Sequence, residues 1–309
     1  MKREVLTIQV GQCGNNIATS FWEGAIYEHN IKLDGMLVEP LTPIGNQNLY
    51  FQETLNGRYV PRSVLVDLEP TIIDQIKSTN IGSVFKLENI ISRTYGAGNN
   101  WAKGYCTDGY DIIDSVMDTI RREAEQSDMT NIFQMVHSLG GGTGSGFGSL
   151  ICEKLREEYQ KSILLNQSVL PGFVLDCVVE AYNVGLTLPH LLGSSDQVFL
   201  IDNIALYEIY FKQLKIQTPT YLDLNKLITD HSLCFTSGWR FSSGVDEKKI
   251  VDLMQPFKLG SLSYINADNQ IYNMTCQTEL LPNQQRCLRV RFQREQRVKY
   301  KYYRILPTN

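Results

Sequence analysis

Five glycines stand close together in one short segment, Ser138 to Gly146, whose other residues are mostly small or hydroxylated. The apolar run Ile132 to Val136 before it predicts a buried strand, and Phe147 to Tyr159 behind it has the apolar spacing of a helix. Glycines let a backbone approach an anion closely, and both loop amides and a helix N-terminus favour negative charge. The segment therefore predicts a phosphate site between a strand and a helix.

A second segment of this kind lies near the start of the chain. Val5 to Val10 predicts a strand, Ile17 to Tyr27 has helical spacing, and Gly11-Gln12-Cys13-Gly14 connects them. This order places Gln12 and Cys13 at a helix N-terminus that faces a ligand, although glycines also occur in such turns only to make the turn. The spacing lacks the G-x-G-x-x-G of dinucleotide sites, which disfavours a hydride-transfer enzyme.

Acidic side chains follow two further segments with strand character. Ser63 to Leu68 predicts a strand that leads into Asp67 and Glu69, and carboxylates at such a strand end can hold a hydrated Mg²⁺. The alternative is that one of them caps the next helix, and we favour the metal-linked role for Glu69. We predict Asp176 to Asn183 as a strand running into a polar turn, where Glu180 can accept from ribose hydroxyls.

Amide and aromatic side chains complete the set of candidate site residues. The glycine-rich loop Tyr95 to Gly104 carries Asn99, whose amide can donate to a phosphate, although the loop could equally be an ordinary surface loop. The buried strand predicted at residues 198–203 ends in Asn203. Tyr221 opens a long predicted helix and could stack on a base, with Asn225 one turn further on the same face. The alternatives for this pair are a core-edge tyrosine and a solvated asparagine.

Strands alternate with helices through about residue 240, the pattern of a doubly wound, mostly parallel α/β sheet. We predict residues 30–60 as a polar loop that contributes little to the core. Beyond Phe241 the pattern changes to a short helix, Asp246 to Met254. Alternating residues at 288–292 and 298–302, around a turn at Arg294 to Gln296, then predict a basic β-ribbon. We favour a solvated ribbon over a nucleic-acid contact.

The bulk composition narrows the class of protein. The formal net charge is −4, but eight basic residues against Glu295 give residues 286–309 a charge of +7, which leaves −11 for the rest. Seven cysteines without a C-x-x-C pair indicate a reducing compartment rather than a disulfide framework. The apolar run at the N-terminus is too short for a signal peptide, and no stretch has the ~20 apolar residues of a membrane helix. We expect a soluble, intracellular protein.

Taken together, these segments resemble tubulin. The resemblance rests on Gly140 to Gly146 and on five further motifs that agree with tubulin in order and spacing. They are Gly11-Gln12-Cys13-Gly14-Asn15, Val66-Asp67-Leu68-Glu69-Pro70, Gly96-Ala97-Gly98-Asn99-Asn100-Trp101-Ala102-Lys103-Gly104, Val178-Val179-Glu180 and Pro219-Thr220-Tyr221. The resemblance runs from about Arg3 to Phe257 and favours β-tubulin over α-tubulin, notably in the third of these motifs.

The resemblance implies GTP and Mg²⁺ as ligands. It implies a GTP-binding domain over residues 1–217, a core helix over 218–241 and a reduced second domain, ending in the ribbon, over 242–309. By similarity Gln12 and Cys13 would contact phosphate and nucleoside, Glu69 the Mg²⁺-bound phosphate, and Glu180 the ribose. The phosphate chain would be held by Asn99, Ser138, Gly142, Thr143 and Gly144, and the guanine by Asn203, Tyr221 and Asn225.

The departures from tubulin bear on hydrolysis. Lys249 stands where α-tubulin has a catalytic glutamate, as in β-tubulin, and an ammonium group cannot act as the general base. Hydrolysis of GTP bound to this chain would therefore need an acid from an α-tubulin-like partner. Residue 181 is alanine where tubulins usually have proline, residue 204 is isoleucine where they have glutamate, and Gly244 replaces an asparagine.

The length after Phe257 also differs, since about fifty residues are too few for the second domain and the paired surface helices of tubulin. We expect the surface where motors dock to be missing. The resemblance implies a cytoplasmic, cytoskeletal subunit that assembles with tubulin, with no membrane contact. The competing hypotheses are a non-polymerising GTP-binding module that caps or sequesters tubulin, and a truncated gene copy without a stable product.

Overall fold

The computed structural model describes residues 4–38, 45–127, 130–172, 177–241, 261–265, 271–280 and 286–293. Its strands are β1 (Glu4–Val10), β2 (Phe51–Glu53), β3 (Tyr59–Pro61), β4 (Ser63–Asp67), β5 (Ile90–Ser92), β6 (Thr130–Ser138), β7 (Ile163–Leu170), β8 (Gln197–Asp202), β9 (Ser261–Ile265), β10 (Ile271–Leu280) and β11 (Arg286–Gln293). Its helices are α1 (Gly11–Glu28), α2 (Pro70–Ser78), α3 (Ile113–Glu125), α4 (Gly148–Glu158), α5 (Glu180–Ser194), α6 (Asn203–Glu208) and α7 (Tyr221–Phe241). Short π-helical segments cover Lys103–Thr107, Thr143–Phe147 and Ile209–Leu214.

Nine of these strands form one sheet in the order β11-β10-β9-β8-β7-β6-β1-β4-β5. All neighbours from β9 to β5 are parallel, whereas β10 is antiparallel to both β9 and β11. The chain proceeds from β1 to β4 on one side and later from β6 to β9 on the other. This doubly wound α/β sheet, which confirms the predicted fold class, therefore reverses its strand order between β1 and β6, where ligands bind in such sheets.

The strands β1, β4, β7 and β8 are buried on both faces of the sheet, as expected for parallel strands covered by helices. Along β1, Leu6, Ile8 and Val10 belong to a core cluster that includes residues of α3, α4 and α5. Val5 points to the opposite face, into a cluster built from α1, α2, α7 and the segment around β2. Side chains alternate in this way because successive residues of a strand face opposite sides of a sheet.

The prediction that residues 30–60 contribute little to the core is wrong for the described part of that segment. Tyr50 and Phe51 are fully buried, and the ring of Trp22 on α1 lies 5.9 Å and 5.4 Å from theirs. β2 and β3 form an antiparallel hairpin of three residue pairs. Each strand has only three residues, which is too short to produce a periodic pattern in the sequence.

One other sequence prediction needs correction. Cys177 to Val179 form a bend and turn that leads into α5, not a strand, and Val178 is 85% exposed. Valines are typical of strands, but Val178 and Val179 belong to none of the strands that the structure describes.

The basic strand β11 pairs with β10, in register from Arg286↔Leu280 to Gln293↔Asn273. Its predicted pairing with residues 298–302 stays a prediction. Those residues, their predicted turn at 294–296 and the predicted helix over 246–254 lie outside the described residues. β9, β10 and β11 continue the main sheet. The division of the chain at residues 217 and 241 stays a prediction. Among the residues with described structure, no helix is long and apolar enough to cross a membrane.

A buried ion pair anchors the hairpin to the rest of the domain. The Lys86 ammonium lies 2.8 Å from a carboxylate oxygen of Glu123 on α3 and 2.6 Å from the amide oxygen of Gln52 on β2. The Glu123 side chain is 1% exposed and that of Lys86 15%. Burying a carboxylate in this way is tolerable only while the cation remains beside it.

We therefore expect Lys86→Met to lower the free energy of unfolding by about 3 to 5 kcal/mol, because Glu123 would remain as an unpaired buried charge. Equilibrium unfolding in urea measures the change. The matched control is Lys154→Met, which removes an exposed ion pair with Glu157 and should cost less than about 1 kcal/mol. The double variant Lys86→Met/Glu123→Leu should recover most of the loss. Equal effects of Lys86→Met and Lys154→Met would contradict the role of this pair.

Candidate functional site

The predicted site residues gather at one edge of the sheet. Because β1, β4, β6 and β8 run parallel, the loops that follow them all leave from the same side. These loops and the helix starts beside them carry Gln12, Cys13, Glu69, Ser138, Gly142, Thr143, Gly144 and Asn203. Asn99 and Glu180 reach the same edge through contacts described below. The first turns of α7, with Tyr221 and Asn225, adjoin it because Leu224 packs in one cluster with Ile17, near the start of α1.

The two glycine turns contact each other directly. Gly11 has a φ of +73°, and a Cβ built on it would lie 3.2 Å from the backbone nitrogen of Gly144. A side chain there would be strained by the backbone conformation and crowded by the facing loop. The turn after β1 and the loop after β6 therefore form one continuous surface of backbone amides at the switch point of the sheet.

A buried histidine holds the second of these loops. His137 Nδ1 lies 2.7 Å from the carbonyl oxygen of Gly144, and Nε2 lies 2.8 Å from Ser168 Oγ. Burial lowers the pKa of His137 to about 4, so the ring is neutral at physiological pH. Since a carbonyl only accepts, Nδ1 carries the proton and Nε2 accepts from Ser168. The neutral ring therefore fixes the orientation of the Gly144 peptide.

A buried asparagine, Asn15, joins the first turn to β4. Its Nδ2 donates to the carbonyl oxygens of Gly11 at 2.9 Å and of Val66 at 3.0 Å. Sequence reasoning singled out neither Asn15 nor His137 as a site residue. The available signal was a polar residue beside a glycine turn or at the end of an apolar strand, which does not by itself distinguish a binding role from a structural one.

Two carboxylates follow β4 in different environments. Glu69 is exposed, and a Cβ built on Gly96 would lie 1.9 Å from Glu69 Oε1, so only glycine lets this carboxylate approach the loop after β5. Its side chain makes no capping hydrogen bond to α2. Asp67 is 3% exposed, and its Oδ1 accepts from the backbone N–H of Glu69 at 3.2 Å. The turn-forming role thus belongs to Asp67, and Glu69 remains available to a ligand.

Burial raises the pKa of the Asp67 carboxyl to about 6, while the N–H groups of Leu68 and Glu69 oppose that rise. The residues that the structure describes contain no group of three or more His, Cys, Asp or Glu side chains placed to hold a metal ion. A divalent cation held near Glu69 and Asp67 would thus take most of its ligands from water and phosphate oxygens, as Mg²⁺ usually does.

The loop after β5 is tied to the loop after β6 by a residue that sequence reasoning missed. Asn183 on α5 donates from Nδ2 to the carbonyl oxygens of Asn99 at 2.8 Å and of Gly140 at 2.7 Å. Asn99 has a φ of +55°, which few non-glycine residues adopt, and its side chain is exposed at the site. The predicted phosphate ligand Asn99 is thus held beside the glycine loop.

The remaining candidates extend the edge towards β8. Glu180 begins α5 and is 9% exposed, and a Cβ on Gly140 would lie 3.4 Å from its Cγ. Asn203 begins α6, and Tyr221, which is 59% exposed, begins α7. Lys249 lies outside the described residues.

Cys13, in the first turn of α1, packs against the cluster that contains Leu224. Burial raises the pKa of its thiol to about 12, so it is a neutral thiol and not a nucleophile.

Asp67 gives a testable pH dependence. A carboxyl whose pKa is higher in the folded state stabilises the fold below its unfolded pKa of about 4, and this contribution is lost as the pH rises through about 6. As the pH rises from about 3 to about 7, the stability of Asp67→Asn relative to that of the natural sequence should therefore increase by up to about 3 kcal/mol.

Urea unfolding across this pH range measures that difference. Asp74→Asn, which replaces an exposed carboxylate on α2, is the matched control. Its free energy of unfolding should change with pH in the same way as that of the natural sequence. A difference between Asp67→Asn and the natural sequence that does not change with pH would contradict the raised pKa.

Comparison with known proteins agrees with this geometry. The GTPase-domain model of the Tubulin/FtsZ family matches residues 4–211. The chain is 45% identical over 259 residues to the tubulin beta-6 chain of Gallus gallus, a match that covers 82% of this chain and 58% of that one. It is also 45% identical over 259 residues to the tubulin beta-1 chain of Suillus bovinus, with the same coverage. The nucleomorph tubulin beta chain of Guillardia theta is 43% identical over 265 residues, 82% of this chain and 59% of its own.

The chain thus spans less than two thirds of the length of these curated relatives, and the match includes the part that carries the glycine turns and the loops around them. The family match, the doubly wound sheet and the position of the glycine loops at its switch point all agree. The chain belongs to the Tubulin/FtsZ family and is a β-tubulin-like member of it.

Proposed function

We propose that this protein binds GTP with Mg²⁺ at the switch point of its sheet and acts as a tubulin-type cytoskeletal subunit in the cytoplasm. The observation that carries the proposal is the order of the candidate groups along the carboxyl edge. Aromatic and amide side chains stand beside β8, Glu180 stands next to them, the glycine turns follow β6 and β1, and carboxylates follow β4. This is the order in which a nucleotide presents base, ribose, phosphates and metal.

The roles of the residues follow from this order. Tyr221 stacks on the base, and Asn203 and Asn225 read its polar edge. Glu180 accepts from the ribose hydroxyls. The phosphate chain lies against Gln12, Asn99 and the loop from Ser138 to Gly144, with Cys13 packed beneath the nucleoside. Glu69 would hold the Mg²⁺-bound phosphate. Bound Mg²⁺ would neutralise phosphate charge and orient the terminal phosphate.

Hydrolysis is the step that this chain does not complete alone in our proposal. Lys249 cannot act as the general base. The acidic side chain whose carboxylate orients the attacking water therefore comes from an α-tubulin-like partner. The relatives that this chain resembles are tubulin beta chains by name, which supports such a partner.

The nucleotide itself is the first test. Protein purified with Mg²⁺ should release guanine nucleotide when denatured, and it should rebind GTP more tightly than ATP. Absence of guanine nucleotide together with absence of tight GTP binding would overturn the proposal. Within the same titration, Tyr221→Ala should weaken GTP binding about 10-fold to 100-fold through loss of base stacking, worth ~1–3 kcal/mol. Leu222→Ala, at the neighbouring exposed position on α7, is the matched control and should bind GTP normally.

The partner is tested by adding tubulin. We expect no GTP turnover by the protein alone and measurable turnover of its bound GTP when α-tubulin-containing dimers are present, because only the partner supplies the acid. In a sedimentation assay of polymerising tubulin, a lattice subunit should pellet in proportion to tubulin. If the protein instead lowers the amount of pelleted tubulin, it is a capping or sequestering module and the subunit role is wrong.

A further inference from the structure

The side-chain amide of Asn183 connects three backbone positions in two separate loops. Nδ2 uses both of its N–H groups, on the carbonyl oxygens of Asn99 and Gly140, while Oδ1 accepts from the N–H of Trp101 at 3.1 Å. The residue is 3% exposed. A buried amide with every N–H used fixes the relative position of the groups it joins, because any shift would leave a buried polar group unpaired.

The same helix holds the Asn99 loop at a second place. His190 stands two turns after Asn183 on α5, and its ring centroid lies 5.1 Å from those of Trp101 and Tyr105. His190 Nδ1 and the Tyr105 hydroxyl both contact the carboxylate of Glu153 on α4. The segment from Asn99 to Tyr105 is therefore fixed to α5 at both ends, and Asn183 is the contact nearer the site.

The position of Asn99 along the sheet gives this contact a functional meaning. Asn203, on the base side, follows β8, whereas the Asn99 loop follows β5 and meets Glu69 after β4. The Gly140 loop, after β6, lies between these ends of the edge. If the base lies near β8, as in the function proposed above, then Asn99 faces the phosphate farthest from the base.

We propose that Asn183 is a positioning residue that sets the distance between the Asn99 loop and the Gly140 loop, and thereby the preference of the site for a nucleoside triphosphate over a diphosphate. This inference rests on the proposed function. Asn183 itself does not touch the nucleotide. Its bond to the Asn99 carbonyl holds that residue in its left-handed conformation, so the amide of Asn99 remains directed at the terminal phosphate.

The test is Asn183→Asp in the full chain. Aspartate has the same shape and can still accept from Trp101, but it lacks both N–H groups and faces two carbonyl oxygens with a negative charge. We expect the Kd for GTP with Mg²⁺ to rise about 10-fold to 100-fold, and the Kd for GDP to change less than about threefold. Asn80→Asp, the same replacement at an exposed position after α2, is the control and should change neither value.

The ratio of the Kd for GTP to the Kd for GDP distinguishes a positioning role of Asn183 from a general structural role. Equal weakening of both nucleotides, or no change in either, would overturn the inference. Should Asn183→Asp fail to fold, Asn183→Ser provides the same comparison, since a hydroxyl can replace one of the two donors, and it should show a smaller loss in the same direction. Failure of the proposed function is distinguishable, because the unmodified protein would then bind neither guanine nucleotide.

Discussion

The parallel pairing of β1 with β6 is the constraint on which the candidate site depends. Residues from Val5 to Gln9 pair in register with Ile132 to Val136, so the two strands end at the same level of the sheet. The glycine turn after β1 therefore meets the glycine loop after β6, with Gly11 against Gly144. A shift of this register by one residue would separate the two turns and reverse which side chains of β1 face each core.

Neutral, buried polar side chains hold these two turns and the neighbouring loops in fixed positions. Asn15 joins the first turn to β4, His137 and Ser168 hold the Gly144 peptide, and Asn183 joins the loops of Asn99 and Gly140. None of them carries a charge at neutral pH, so they do not compete with an anionic ligand for the loop amides. Their hydrogen bonds to backbone carbonyls and, between His137 and Ser168, to each other offset the cost of burying them.

Local sequence patterns predicted the parts of the fold whose signals are local. The glycine loop at residues 138–146 follows a mainly apolar run and precedes a helical pattern, and the structure has a strand and a helix in that order. β7 was not predicted, because Asn166, Gln167 and Ser168 interrupt its apolar pattern. Each is buried and bonded to a residue distant in sequence: Asn166 to Ser195, Gln167 to Ser232 and Ser168 to His137. The pairing of β9 with β8 is non-local in the same sense, since Ser261 meets Gln197, and a strand pattern does not show which strand it meets.

The sequence by itself determined the class of fold, the family and the list of residues that could contact a nucleotide, because glycine spacing, strand ends and helix starts are encoded over a few neighbouring residues. The tertiary structure decided which polar residues position the site and which of two carboxylates forms the turn. Asp67 is buried and bonded to Glu69, whereas Glu69 is exposed against Gly96. The role of Asn183 is evident only from the fold, which brings the carbonyl groups of residues 99 and 140 to its side chain. Contacts across such sequence separations leave no periodic signal, since they depend on the packing of the whole sheet.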